Sequence, residues 1–142
     1  MRAAAILGLG SSAKHLEPFA RNSKAAWRLG LPGSTNEADA ILSATDELMR
    51  ELMLRNDVQP EAMVSCIFTL TDDLDAEFPA VAARRVGLNT VPLLCAREVP
   101  VPGALPRVIR AMVHYYAPED HEPKHVYLGD ARVLRADLES AQ

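Results

Sequence analysis

Glu98 and Arg110 stand twelve positions apart in CAREVPVPGALPRVIR (95–110), on either side of a loop carrying three prolines and one glycine. A chain reversal that returns a guanidinium to a carboxylate makes a grip for a small acid. Arginine offers a planar fork of donors to a carboxylate or to an oxygen gaining charge, and glutamate accepts a hydroxyl. Cys95 opens the same stretch, and Arg97 and Arg107 lie inside it. FPAVAARR (78–85) and HVYLGDARVLR (125–135) repeat the pattern of an apolar framework carrying one or two anion-binding or hydrogen-bonding groups.

Other motifs point elsewhere and fail on physical grounds. Gly8, Gly10 and Ala13 fit a loose G-x-G-x-x-A, the phosphate-cradling turn of dinucleotide folds. Pro18 falls where the required helix should continue, and no second strand ends in an acidic residue about twenty positions on. HEPKH (121–125) matches the zinc-binding H-E-x-x-H, but Pro123 interrupts the helix that would put both histidines on one face, so a polar loop is expected. No other His or Cys cluster has metal spacing, and residue order alone supports no Ser-His-Asp or Cys-His catalysis. Neither a metal nor a cofactor is therefore expected.

The 142 residues suffice for one domain with a sizeable core, and 49% hydrophobic with 24% charged residues is a globular composition. At 5% aromatic, aliphatic side chains must fill that core. A net charge of −4 gives no global positive field to draw nucleic acid or a membrane surface, so an anionic ligand needs local arginines. Cys66 and Cys95 sit in apolar runs. The chain shows no secretory signal and no apolar run of about 18 residues, so a reduced, cytoplasmic setting is expected.

Residues 1–23 lose clear periodicity and read as an extension of uncertain order, with the domain over 24–142. AAWRLGLPGS (25–34) reads as a first strand, after which Ser34, Thr35 or Asn36 can cap a helix over 37–55. Ala38, Ile41, Leu42, Leu48, Met49, Leu52 and Met53 give that helix one apolar stripe. MVSCIFTLT (63–71) reads as a buried strand, Pro79 to about Val86 as a short helix stopped by Gly87, and VPLLCARE (91–98) as another strand. LPRVIRAMVHYY (105–116) has helical spacing with Pro106 in its first turn. HVYLG and ARVLR read as a hairpin around Gly129 and Asp130. Alternating strands and helices predict an α/β or α+β domain, a mixed sheet with helices on one face.

The ordered segments DLDAEFPA, VPLLCARE, VPGALPRVIR, HVYLGDARVLR and ADL, spread over roughly residues 36–138, resemble the monofunctional chorismate mutases of the AroH class. The resemblance implies an α+β protomer that trimerises into a pseudo-α/β barrel with active sites between subunits. It implies an isomerase of aromatic amino-acid biosynthesis in the shikimate pathway, acting on a small-molecule carboxylate and converting chorismate to prephenate. By the same resemblance Arg110 contacts the ether oxygen and a carboxylate, Glu98 receives the substrate hydroxyl, and Tyr127 bonds a carboxylate. Cys95 would stand at the pocket wall beside Glu98, with Phe78, Ala80, Leu94 and Leu134 as further walls and Arg84 and Arg135 near the mouth. Members of this class begin with Arg-Gly-x-Arg-Gly-Ala-Thr, whose second arginine binds a substrate carboxylate. Here the stretch is RLGLPGST, with Pro32 in that arginine's place. Three outcomes fit: another basic residue (Arg28, Arg21 or Lys24) takes over, the pocket serves a related cyclic acid, or the fold is a non-catalytic binding or assembly subunit.

Overall fold

In the computed structural model, which describes residues 19–28 and 36–132, the elements run β1 (Phe19–Arg28), α1 (Ala38–Asn56), β2 (Met63–Leu70), α2 (Pro79–Arg85), β3 (Leu93–Arg97), β4 (Val108–Ala117) and β5 (Val126–Gly129). Short 3-10 turns occupy Pro60–Ala62 and Asp130–Arg132. The sheet order is β3-β2-β4-β1-β5. β4 is antiparallel to both β2 and β1, while β3 pairs parallel with β2 and β5 parallel with β1. The result is the expected mixed sheet in an α+β domain.

Helix α1 forms where the apolar stripe predicts it, with Ile41, Leu42, Leu48, Met49 and Leu52 buried. Asp57 ends it in the left-handed region at φ 51°, donating its N–H to Leu54 O while Val58 donates to Met53 O. This paired closure satisfies carbonyls that the last turn leaves open. Asn36 does not cap the helix. Its side-chain oxygen instead accepts the N–H groups of Asp75 and Ala76, fastening the loop after β2 to the start of α1. Ser34 and Thr35 lie outside the described residues. In α2, Pro79 sits at the first turn, where its missing N–H costs nothing, and Gly87 at φ 106° stops the helix as predicted.

Strand period then divides the sheet into two faces. Leu48, Met49 and Leu52 of α1 and Ala83 of α2 pack on Cys66 and Phe68 of β2 and on Ala111, Val113 and Tyr115 of β4. An irregularity between Met63 and Ser65 turns Met63 to the same covered side. The alternate residues Ser65, Ile67, Thr69, Arg110, Met112 and His114 occupy the other face and are only half-buried.

Three readings are corrected. LPRVIRAMVHYY is not a helix: Val108–Ala117 is a central strand. Its apolar residues on both faces imitate a helical spacing, and its β-branched and aromatic content fits the sheet instead. The first strand spans Phe19–Arg28, so residues 19–23 join the sheet, and residues 29–35 lie outside the described ones. The segments HVYLG and ARVLR form no hairpin over the described residues, because β5 pairs parallel with β1 and passes into the turn Asp130–Arg132.

The end of the sheet opposite the loop after β2 is locked by buried Asn56. Its amide donates to Leu52 O and Lys124 O at 2.9 Å each, and its oxygen accepts Lys124 N–H at 2.7 Å and the Tyr115 hydroxyl at 3.2 Å. The Tyr115 hydroxyl also lies 2.9 Å from His121 Nε2, so His121 and His125 serve a loop rather than a helical metal face. Asn56→Ala leaves these buried groups unpaired. It should lower unfolding free energy by about 1–3 kcal/mol, read as a lower urea midpoint at unchanged slope.

Candidate active site

β2 and β4 place Thr69 directly opposite Arg110, and the same register row continues through Ala96 on β3, Ala26 on β1 and Tyr127 on β5. Because side chains alternate strictly along a strand, Thr69, Arg110 and Tyr127 belong to the face that the helices leave open. Glu98 extends β3 by one residue, its N–H bonded to Leu70 O at 2.9 Å. This turns its carboxylate toward the row. Arg110 Nη1 pairs with Glu98 Oε2, and Thr69 Oγ1 donates to Oε1 at 2.8 Å. The Glu98 side chain is 13% exposed and that of Arg110 is 42% exposed. A nearly buried carboxylate is therefore held by two donors, one of which reaches solvent. Tyr127 lies two strand spacings from Arg110, roughly 10 Å, half-buried against Val108 and Ala131.

The loop entering β4 is held by the turn after β2. Thr71 Oγ1 accepts Val108 N–H at 2.9 Å and donates to Asp73 Oδ1 at 2.6 Å, while the Asp73 carboxylate takes Arg107 N–H at 3.0 Å. Those bonds keep Arg107 at φ 55°, a conformation that disfavours a Cβ. Arg97, inside the same stretch, donates Nη1 to Thr71 O and Leu74 O at 3.2 Å each and pairs with Asp72. These contacts deliver Arg110 to Glu98.

Of the other expected site residues that are described, Leu94 shares the open face through its pairing with Ile67, and the rest fall elsewhere within one protomer. Cys95 faces the covered side, half-buried against the core, and with Phe78, Leu70 and Leu74 it lines a cavity of about 300 Å³ at the β3 edge. Phe78 is 67% exposed and Leu94 58% exposed. Ala80 is buried in the first turn of α2 and Arg84 exposed in its last. Leu134 and Arg135 lie outside the described residues. Sequence reasoning missed Thr69 and the Thr71–Asp73 clasp. The string TLTDDL held a signal for the clasp, since Thr and Asp two apart at a strand end favour a side-chain-bonded turn. Among the described residues no group of three or more His, Cys, Asp or Glu is arranged to hold a metal, and no helix is long and apolar enough to cross a membrane.

The model of the family "Chorismate mutase type I" matches residues 30–138. The chain belongs to the type I chorismate mutase family. It is 51% identical over 107 residues to chorismate mutase AroH of Thermus thermophilus, covering 73% of this chain and 87% of that protein. It is 37% identical over 116 residues to the Bacillus subtilis (strain 168) protein of the same name, covering 77% and 91%. A solved chorismate mutase from Clostridium thermocellum superposes with a TM-score of 0.74 at 38% identity, over 80% of this chain and 98% of that one. The family match begins after β1, and the Glu98–Arg110 row falls wholly inside it except for Ala26.

Burial pushes the Cys66 thiol up to about 12, with Cys95 nearby adding to the shift. A raised value keeps the thiol protonated through neutral and mildly alkaline pH, and only the thiolate is nucleophilic. In the folded protein at pH 8 a thiol reagent should therefore label Cys95 and spare Cys66. Cys66 should react only after denaturation, as counted by mass spectrometry.

Proposed function

We propose that this protein is a chorismate mutase that rearranges chorismate to prephenate. The observation that carries the reading is the Glu98–Arg110 pair, held on the open sheet face within the family's matched segment. The rearrangement is concerted: an ether C–O bond breaks as a C–C bond forms. It calls for a compact substrate conformer and for donors at the oxygen that gains charge. Arg110 supplies a fixed positive fork for the ether oxygen and a carboxylate. Glu98, nearly buried, accepts the ring hydroxyl, and Tyr127, in the same row, bonds a carboxylate.

One protomer leaves this site unwalled, which supports a homotrimer with active sites between subunits. Phe78, Ala80 and Arg84 belong to the segment around α2 and sit apart from their own Arg110, so a neighbouring copy is the natural source of that wall. Exposed Leu94, Val99 and Val101 border the open face and would be covered by the same association. A cytoplasmic place in aromatic amino-acid biosynthesis goes with this activity.

Chorismate consumption, followed by its absorbance, tests the reading. Arg110→Ala should lower kcat/KM by about 100- to 1000-fold, the scale on which loss of one transition-state donor is felt. Pro32→Arg, which restores the arginine typical of the family, should raise it by about tenfold. No chorismate consumption by the wild-type protein would overturn the proposal. Sedimentation should give three times the 15.5 kDa protomer mass.

A further inference from the structure

Thr69 belongs to none of the roles above, yet it touches the carboxylate on which they turn. We propose, resting on the chorismate reading, that Thr69 is a positioning residue that keeps Glu98 aimed at the substrate hydroxyl while Arg110 turns from the ion pair to the ligand. The two Glu98 oxygens are held separately, Oε1 by the Thr69 hydroxyl at 2.8 Å and Oε2 by Arg110. Of the three side chains, Arg110 reaches solvent while Glu98 is almost covered. The guanidinium is thus the partner able to move.

An incoming dianion competes with Glu98 for the arginine's donors. If Arg110 were its only hold, the carboxylate would regain its rotations as the ligand arrived. Thr69 prevents this. Its backbone is pinned between Ala96 and Arg110 in the sheet, and its β-branched side chain is stiff at χ1. The Glu98 backbone is fixed in turn by its bond to Leu70 O. A carboxylate offers about four lone-pair sites, so accepting Thr69 leaves room for a substrate hydroxyl.

The test compares steady-state chorismate turnover in the wild type, Thr69→Val, Thr69→Ser, Glu98→Gln and the Thr69→Val/Glu98→Gln double variant. Valine keeps the shape and removes the donor. Thr69→Val should lower kcat/KM about tenfold, mostly through a higher KM, because the hydroxyl contact exists in ground state and transition state alike. Thr69→Ser should recover activity to within about threefold, by retaining a hydroxyl donor. In the Glu98→Gln background the valine substitution should have no further effect, since both changes act through one group. A Thr69→Val enzyme equal to wild type, a serine variant as weak as the valine one, or additive losses in the double variant would each overturn the inference. Should the valine variant not fold, Thr69→Ala is read by the same criteria. A wild-type protein inactive on chorismate would overturn the chorismate reading, and this inference with it, whereas an active wild type with an indifferent Thr69 overturns this inference alone.

Discussion

The antiparallel pairing of β2 with β4 is the constraint on which the site depends. It sets Thr69 across from Arg110, and the two-residue period of the strands then assigns every neighbour to one of two faces. One face is sealed by α1 and α2 over a core of Leu48, Leu52, Phe68, Val113 and Tyr115. The other presents polar groups in a row. Chemistry and stability are thereby separated by a single sheet: the apolar residues that hold the fold together alternate with those that would touch a ligand.

Electrostatics follow from that separation. Glu98 is tolerated in a nearly covered position because two donors meet its two oxygens, whereas an unpaired carboxylate there would be costly. The clasp of Thr71 and Asp73 on Arg107 and Val108 acts one step earlier in the chain. It fixes where β4 begins, and so which residue of LPRVIR (105–110) arrives opposite Thr69. Arg97 braces the same turn from the β3 side. A pericyclic reaction needs positioned charge more than reactive groups, and this part of the molecule is built to position.

How much of this the sequence discloses depends on whether one residue pattern has one structural meaning. The stripe in 37–55 has one, and α1 appears with its expected buried residues. MVSCIFTLT, Pro79–Val86 and VPLLCARE likewise reach their expected states. LPRVIRAMVHYY is ambiguous because Val108 and Ile109 are both buried and apolar Met112 stands between Arg110 and His114, which blurs the alternation that would betray a strand. Glu98 and Arg110 were legible as a pair because a Pro/Gly loop reverses the chain between them, whether strand or helix follows. Thr69 was not, since its meaning lies across the sheet, nearly thirty residues from Glu98, and no local pattern encodes that distance. Tyr127 was reached through the family resemblance, and the register places it in the row. Cys95 was placed beside Glu98 by the same resemblance, and within one protomer strand alternation sets it on the helix-covered side, in the cavity at the β3 edge.

The position of β1 has a consequence for how the chain comes together. Among the described residues it is the first element in sequence, but it fills the slot between β4 and β5, the last two described strands to be made. During synthesis its edges lack these partners until β4 and β5 have emerged, so this part of the sheet closes by long-range pairing rather than by stepwise growth. Until then the row containing Arg110 stops at β4, and Tyr127 has no scaffold. Ligand-binding competence should follow the emergence of β5, and a chain cut short before it would lose Val126 and Leu128 from the helix-covered core together with the far end of its site.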